Sequence, residues 1–120
     1  MSSAGSGNGF TLGGNSGVDT LTGSNYNDII TGSGGDDIIS AGQGNDTITG
    51  GADNDDLTGG AGNDTFNISA GSDVINDLST GDDIVVTGGS VTANNVSDFV
   101  ADADTTNAGT VTINSKSTGS

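Results

Sequence analysis

The 120-residue sequence contains no cysteine, histidine, tryptophan, proline or glutamate, and its only basic residue is Lys116. Without cysteine the chain has neither disulfides nor thiolate chemistry, and without histidine it lacks the usual general base and transition-metal ligand. A chain with a formal charge of −15 will hold neither nucleic-acid phosphates nor an anionic membrane surface. It also lacks the apolar run of about 18 residues that a membrane-spanning helix needs. The sequence therefore excludes a disulfide-stabilised fold, thiolate or histidine chemistry, binding to nucleic acid or to an anionic membrane surface, and a membrane-spanning helix.

Aspartate and glycine dominate what remains. All 16 acidic residues are aspartates, there are 23 glycines, and aromatic residues make up 3% of the chain. High charge with few aromatics ordinarily favours disorder, and the length suits one domain without a large core. The exclusive use of the shorter carboxylate indicates a requirement beyond solubility.

A nine-residue repeat runs through the sequence from Gly14. Its successive units are GNSGVDTLT, GSNYNDIIT, GSGGDDIIS, AGQGNDTIT, GGADNDDLT, GGAGNDTFN, ISAGSDVIN and DLSTGDDIV. The sixth position is always aspartate: Asp19, Asp28, Asp37, Asp46, Asp55, Asp64, Asp73 and Asp82. The eighth position is always large and apolar: Leu21, Ile30, Ile39, Ile48, Leu57, Phe66, Ile75 and Ile84. A single aspartate could be an ordinary turn residue, but eight in register favour a shared role.

The pattern within one unit predicts a turn followed by a short strand. Glycine at positions one, two and four permits positive φ, and positions seven to nine are rich in Thr, Ile and Val, which suit a strand. The middle strand residue points inward because side chains alternate. Stacked units therefore predict a parallel solenoid with a Leu and Ile core, two units per 18-residue coil. Leu12 falls in phase one unit earlier, with Phe10 in the aspartate position, so the stack is expected to begin there without a carboxylate.

These units resemble the nonapeptide G-G-x-G-x-D-x-U-x of the RTX, or haemolysin-type, calcium-binding proteins. GGAGNDTFN, from Gly59 to Asn67, is the best match, and the similarity extends from Gly14 to about Val85. The resemblance implies an all-β fold, a right-handed parallel β-roll (a β-solenoid), with Ca²⁺ held between turns of units n and n+2. We expect a flexible lead-in at residues 1–9, the roll at residues 10–85, and a short β-rich C-terminal cap at residues 86–120. In the family, this last region often carries a type I secretion signal.

Carried onto this sequence, the resemblance makes the eight position-six aspartates the carboxylate ligands. The implied pairs are Asp19 with Asp37, Asp28 with Asp46, Asp37 with Asp55, Asp46 with Asp64, Asp55 with Asp73, and Asp64 with Asp82. Ca²⁺ takes about six to eight oxygen ligands, and the expected backbone carbonyl donors are Gly32, Gly34, Gly42, Gly44, Gly50, Gly59 and Ala61. Roughly four to six ions are expected. The spacing does not suit an EF-hand, which needs a terminal glutamate.

Several positions depart from the repeat. Tyr26 and Asp53 stand where position four has glycine, and Ala41 replaces the glycine of position one. The pattern is most regular from Asp37 to Asp64, and in the last two units it is broken by Ile68, Asp77, Leu78 and Thr80. The other acids are interpreted as solvated charges, outward on the roll for Asp36, Asp56 and Asp83, and in loops for Asp98, Asp102 and Asp104. None has partners for acid–base catalysis, so we expect no enzyme activity from this segment.

The C-terminal segment predicts further short strands at Ile84–Thr87, Val91–Ala93, Val96–Ala101 and Thr110–Asn114, although residues 95–100 suit a short helix equally well. A solenoid needs its open end covered. The apolar residues expected to do this are Val86, Val91, Val96, Phe99, Val100, Val111 and Ile113.

The resulting functional hypothesis is a calcium-triggered folding module of a larger secreted protein. Without metal, the stacked carboxylates repel each other and the Gly-rich chain loses much entropy on folding, so we expect a disordered or molten calcium-free state. Its expected partners are Ca²⁺, upstream domains and the type I secretion machinery, and its expected location is extracellular or on the cell surface. The alternative is a surface adhesin, S-layer or polysaccharide-binding module. An ice-binding face is disfavoured because neither predicted sheet carries a regular threonine array.

Overall fold

The computed structural model describes residues 9–79, 81–96, 106–107 and 109–115. These residues form twelve short β-strands and no helix. The strands are β1 (Thr11–Gly13), β2 (Thr20–Thr22), β3 (Ile29–Ser33), β4 (Ile38–Gln43), β5 (Thr47–Gly51), β6 (Asp56–Ala61), β7 (Thr65–Ile68), β8 (Ser72–Ile75), β9 (Asp83–Val86), β10 (Ser90–Val96), β11 (Thr106–Asn107) and β12 (Thr110–Ser115).

The strands alternate between two parallel sheets. Sheet I has the order β1-β3-β5-β7-β9-β11, and sheet II has the order β2-β4-β6-β8-β10-β12. The register joins equivalent residues of units n and n+2, as in the pairing of Ile30 with Ile48 and of Ile48 with Phe66. Each 18-residue coil thus contributes one strand to each sheet. The all-β parallel solenoid predicted from the repeat is confirmed.

The core is a stack of inward-facing side chains contributed by both sheets. Every position-eight residue is buried, from Leu21 at 4% exposure to Phe66 at 0%. Leu12 and Ala41 are buried too, as are residues that interrupt the glycine pattern, including Ile68 and Leu78. A chain whose composition ordinarily favours disorder therefore buries a continuous apolar column, because every coil adds its two position-eight side chains.

The glycines serve two different purposes. Positive φ occurs at position two, as at Gly42 and Gly60, and at position four, as at Gly44 and Gly62. Asp53 accepts a φ of 73° at position four, whereas Tyr26 does not adopt positive φ. The expectation of positive φ at position one is wrong: these glycines are small because a Cβ would collide with the aspartate of the same unit, as at Gly32 with Asp37.

The C-terminal strands extend the same two sheets. Ser90 pairs with Ser72, which keeps the 18-residue offset, but Ser90 then pairs with Thr110 and Val85 with Thr106. The offset between paired strands therefore grows from 18 residues to 20 and 21, and the parallel pairing continues.

The side chains expected to form the cap divide into three groups. Val86 and Val91 are buried, and Val96 and Val111 pack partly buried against the core. Ile113 is 43% exposed, so the expectation that it covers the core is wrong. Ile113 pairs with the buried Ala93 and shares a face with Val111. It is exposed because β12 is the last strand of sheet II, so no further strand of the sheet stacks on it. Phe99 and Val100 lie outside the described residues.

Some other expectations also fall outside the described part of the chain. These are the lead-in up to residue 8, the residues of the expected strand at 96–101 that follow Val96, and the loop acids Asp98, Asp102 and Asp104. Within the described ranges, no helix is long and apolar enough to cross a membrane.

Candidate metal centre

The position-six aspartates form two columns, one at the start of the strands of each sheet. Asp28, Asp46, Asp64 and Asp82 form column I beside sheet I, and Asp19, Asp37, Asp55 and Asp73 form column II beside sheet II. Seven of the eight are buried, with exposures between 1% and 3%, and Asp19 is partly buried. Because buried carboxylates are rare without a partner, these columns are where a function is to be sought.

One carboxylate oxygen of each aspartate except Asp19 accepts a backbone N–H of the preceding coil. The backbone N–H of Asp28 donates to Oδ1 of Asp46 at 2.7 Å, and the N–H of Asp46 donates to Oδ1 of Asp64 at 2.9 Å. The same bond links each of the six pairs expected from the repeat, at 2.7–2.9 Å. Phe10, which stands in the aspartate position, begins column I by donating its N–H to Asp28 at 2.8 Å. Val91 pairs in register with Asp73 and ends column II.

The other carboxylate oxygen has no hydrogen-bond partner in five of the turns. These buried Oδ2 atoms belong to Asp37, Asp46, Asp55, Asp64 and Asp73. Leaving a buried acceptor unsatisfied costs about 1–3 kcal/mol, and more for a charged group. Lys116, the sole basic residue, lies outside the described residues. Five buried anionic oxygens in neighbouring turns therefore need a cation or a proton.

In the first three turns, a backbone carbonyl of the next coil lies beside Oδ2 of the position-six aspartate. A Cβ on Gly32 would meet both Oδ2 of Asp37 and the carbonyl oxygen of Gly50, so these two oxygens face one another across the glycine. Gly14 has the same relationship to Asp19 and the carbonyl of Gly32. Position-one glycine thus leaves open a space lined by oxygen atoms.

The remaining expected carbonyl donors have other surroundings. The carbonyls of Gly42 and Gly44 point at positions two and four of the following coil, where a Cβ on Gly60 or Gly62 would meet them. The carbonyl of Ala61 accepts the N–H of Gly44 at 3.0 Å.

For Gly34 and Gly59, the structure gives contacts of the amide. Gly34 donates its N–H to the carbonyl of Asn15 at 3.1 Å, and Gly59 donates to Oδ1 of Asp77 at 3.0 Å. The carbonyl of Ala41 lies beside Oδ2 of Asp28, a neighbour that was missed because Ala41 breaks the glycine pattern.

Burial raises the pKa of several of these carboxyls. The pKa of Asp64 is raised to about 7, mainly by burial. The hydrogen bond from the N–H of Asp46 lowers this pKa, and repulsion from Asp82 contributes to raising it. Burial likewise raises the pKa of Asp73 to about 6, and that of Asp46, Asp55 and Asp82 above the usual range. Burial therefore penalises the charged form of each of these carboxyls relative to a carboxyl in water.

A second ladder at position five was not anticipated from the sequence. Oδ1 of Asn27 accepts the N–H of Asn45 at 2.7 Å, and Oδ1 of Asn45 accepts the N–H of Asn63 at 2.9 Å. On the other side of the solenoid, Asp36 and Asn54 make the equivalent contacts, to Asn54 and Ser72. The recurrence of asparagine directly before the aspartate was the available signal. Asp36 and Asp56 are exposed and Asp83 is partly exposed, as expected for outward charges.

The donor set fits a hard cation. Among the described residues, no three acidic, histidine or cysteine side chains come together to hold a metal ion. An ion in these columns would therefore draw on at most two carboxylates and on backbone carbonyls, which suits Ca²⁺ with its many flexible oxygen ligands. The buried, unpartnered Oδ2 atoms and the space that a Cβ would fill agree with such a site.

Comparison with known proteins supports the same assignment. A family model described as the RTX calcium-binding nonapeptide repeat, in four copies, matches residues 13–48 and 41–75. No curated protein and no solved structure matches the chain. The matched residues cover more than half of the 120-residue sequence and contain the aspartates from Asp19 to Asp73. With its parallel solenoid and its columns of buried aspartates, this chain belongs to the RTX calcium-binding nonapeptide repeat family.

Proposed function

We propose that this chain is a module that stays unfolded without Ca²⁺ and folds into the solenoid when it binds Ca²⁺ outside the cell, as part of a larger protein exported by a type I secretion system. The observation that carries this proposal is the set of five buried Oδ2 atoms without a hydrogen-bond partner. Family membership supports a calcium-binding module of secreted proteins. Coupling to folding follows from the physics of these oxygens.

The chain's own residues prepare each site in the folded state. The N–H of one coil fixes Oδ1 of the aspartate in the next, as between Asp19 and Asp37 at 2.8 Å, and this leaves Oδ2 of Asp37 beside the carbonyl of Gly50. In the unfolded chain the two coils are separated by 18 residues of flexible sequence, so the oxygens do not converge. Bound Ca²⁺ supplies the positive charge that the columns lack. Its binding energy therefore becomes folding energy.

The same arrangement explains why the location of the protein would matter. Extracellular calcium modules bind with dissociation constants of about 0.1–1 mM, well above cytosolic calcium. The chain would remain extended before export and fold after it. We assign the roll to residues 10–85, with residues 86–120 covering its end. The roll would then hold four to six ions, and upstream domains would be its partners.

A calcium titration of the full 120-residue chain tests the proposal. After removal of metal with a chelator, far-UV circular dichroism and small-angle scattering should report little β-structure and an expanded chain. Added Ca²⁺ should produce β-structure and compaction together, with a midpoint between about 0.1 and 1 mM. Mg²⁺ is the control, because it demands octahedral geometry and keeps its waters, and it should not fold the chain at the same concentration. Identical spectra and dimensions with and without Ca²⁺ would refute folding on binding.

A further inference from the structure

The eight aspartate turns fall into two structural classes. In the first two turns and the last one, Oδ2 already accepts hydrogen bonds from its own unit. The N–H of Asn15 donates to Asp19 and the N–H of Ser24 donates to Asp28, both at 2.6 Å, and the N–H of Ser79 donates to Asp82 at 2.8 Å. In the five turns between them, the same oxygen has no partner. The difference therefore separates the ends of the solenoid from its middle.

The backbone at position two accounts for most of this division. Ser33, Gly42, Gly51 and Gly60 have φ values of 94°, 116°, 116° and 101°, and their turns are those of the unpartnered Asp37, Asp46, Asp55 and Asp64. Asn15 and Ser24 are not among the residues with positive φ. Their N–H groups instead point at the carboxylate four residues later. Where φ is positive at position two, the N–H of that residue therefore does not donate to the aspartate of its own unit, and Oδ2 stays without a partner.

Side-chain donors make the terminal turns more complete. The hydroxyl of Ser24 lies 2.9 and 3.0 Å from the two oxygens of Asp28, and the side-chain amide of Asn15 donates to Oδ1 of Asp19 at 3.0 Å. The hydroxyl of Ser79 lies 3.2 Å from Oδ2 of Asp82. Each donor places a partial positive charge against the carboxylate, which a bound cation would otherwise supply. A carboxylate satisfied in this way gains little from an ion and would have to release its donor first.

We propose that Ca²⁺ binding is confined to the five central turns, those of Asp37, Asp46, Asp55, Asp64 and Asp73, and that the turns of Asp19, Asp28 and Asp82 are closed by their own donors without metal. This rests on the proposed calcium-dependent function and assigns its sites turn by turn. The terminal coils are then metal-independent ends, in which Asn15, Ser24 and Ser79 take the place of the ion. The number of ions at saturation is at most five.

Two neighbours in column I provide a matched test. Asp28 and Asp46 are both 1% exposed, and each accepts a backbone N–H through Oδ1, at 2.8 and 2.7 Å. They differ in the partner of Oδ2. Bound Ca²⁺ is counted at saturation by equilibrium dialysis and elemental analysis of the full chain carrying Asp28→Asn or Asp46→Asn, and circular dichroism at the same Ca²⁺ concentration reports the folded fraction. Asp46→Asn should lose at least one ion per folded molecule, whereas Asp28→Asn should keep the wild-type count.

Asp19→Asn and Asp55→Asn repeat the comparison in column II, which protects the test if Asp28→Asn fails to fold. Losses of ions at Asp19 or Asp28 equal to those at Asp46 and Asp55, or a wild-type count above five, would overturn the assignment and leave calcium-dependent folding intact. An unchanged count for Asp46→Asn would overturn it as well. A wild-type chain that binds no Ca²⁺ would remove the proposed function together with this inference.

Discussion

Asn45 and Asp46 are adjacent in the chain, yet their side chains reach toward opposite ends of the solenoid. Oδ1 of Asn45 accepts the N–H of Asn63 in the following coil at 2.9 Å, and Oδ1 of Asp46 accepts the N–H of Asp28 in the preceding coil at 2.7 Å. One dipeptide therefore ties three coils together. Asp46 has a second carboxylate oxygen, Oδ2, without a hydrogen-bond partner. Asn45 has only one side-chain oxygen, and that oxygen is used in the ladder.

The asparagine ladder predicts a structural contribution that is separate from metal binding. Asn45→Ala removes the acceptor for the N–H of Asn63 and should lower the free energy of unfolding by about 1 kcal/mol in saturating Ca²⁺. The number of bound ions should not change. Denaturant unfolding and dialysis measure the two quantities. Asn25→Ala, at an exposed asparagine outside the ladder, is the control and should change neither quantity.

A glycine pair tests the turn geometry. Gly60→Ala places a side chain at a φ of 101° and brings its Cβ against the carbonyl of Gly42, so the calcium-loaded protein should lose at least about 1–2 kcal/mol of stability. Gly13→Ala is the control, because its Cβ would meet nothing within 4 Å and should alter stability by no more than about 0.5 kcal/mol. Thermal unfolding in excess Ca²⁺ compares them. Equal effects would show that the backbone at position two is not constrained.

The raised carboxyl pKa values predict that acid partly replaces calcium. Burial raises the pKa of Asp64 to about 7 and of Asp73 to about 6 in the folded state, whereas an unfolded aspartate titrates near about 3.9. The folded state therefore binds more protons between these values. The stability of the metal-free fold should be greatest below about pH 4 and should fall as the pH rises through 6 to 7.

Circular dichroism of the metal-free chain between pH 8 and pH 4 measures this effect. β-structure should increase on acidification, and Asp64→Asn should flatten the upper part of the curve. Asp56→Asn removes an exposed carboxylate instead and should leave the shape of the curve unchanged. A metal-free signal that stays constant over this range would contradict the prediction.

The buried core predicts that stability depends strongly on the side chains at position eight. Phe66 is 0% exposed and is among the largest fully buried side chains, so Phe66→Ala should cost about 3–5 kcal/mol through lost burial and the cavity left behind. Ile38→Ala removes an apolar side chain that is 50% exposed on the outer face of sheet II and should cost far less. Chemical denaturation in saturating Ca²⁺ measures both. Comparable losses would mean that the outer face also supports the fold.

Most of the fold could be predicted from the repeat because its period is the structural period. Once two units form a coil, Asp28 must stack on Asp46 and Ile30 on Ile48, and no further information is needed. The same is true of the burial of Leu12, which occupies the phase of position eight. In a periodic sequence, the residues that stack on each other are found by adding 18 to the residue number.

What could not be predicted depends on the direction of individual peptide groups. Nothing in the composition of GSNYNDIIT shows that the N–H of Ser24 turns toward Asp28, while that of Ser33, another serine at position two, turns away at a φ of 94°. The pairing of the C-terminal strands could not be predicted for another reason. There the offset between paired strands changes, as between Ser90 and Thr110, so counting no longer places a residue inside or outside.

The alternation of strands between two sheets gives the molecule a parity. Deleting one nonapeptide would send every later strand to the opposite sheet and move each later aspartate into the other column, so that Asp64 would stack where Asp55 had been. Deleting two nonapeptides would restore both. The protein can therefore gain or lose one coil of 18 residues without moving any later strand to the other sheet. Gain or loss of a single nine-residue unit would move every strand that follows it.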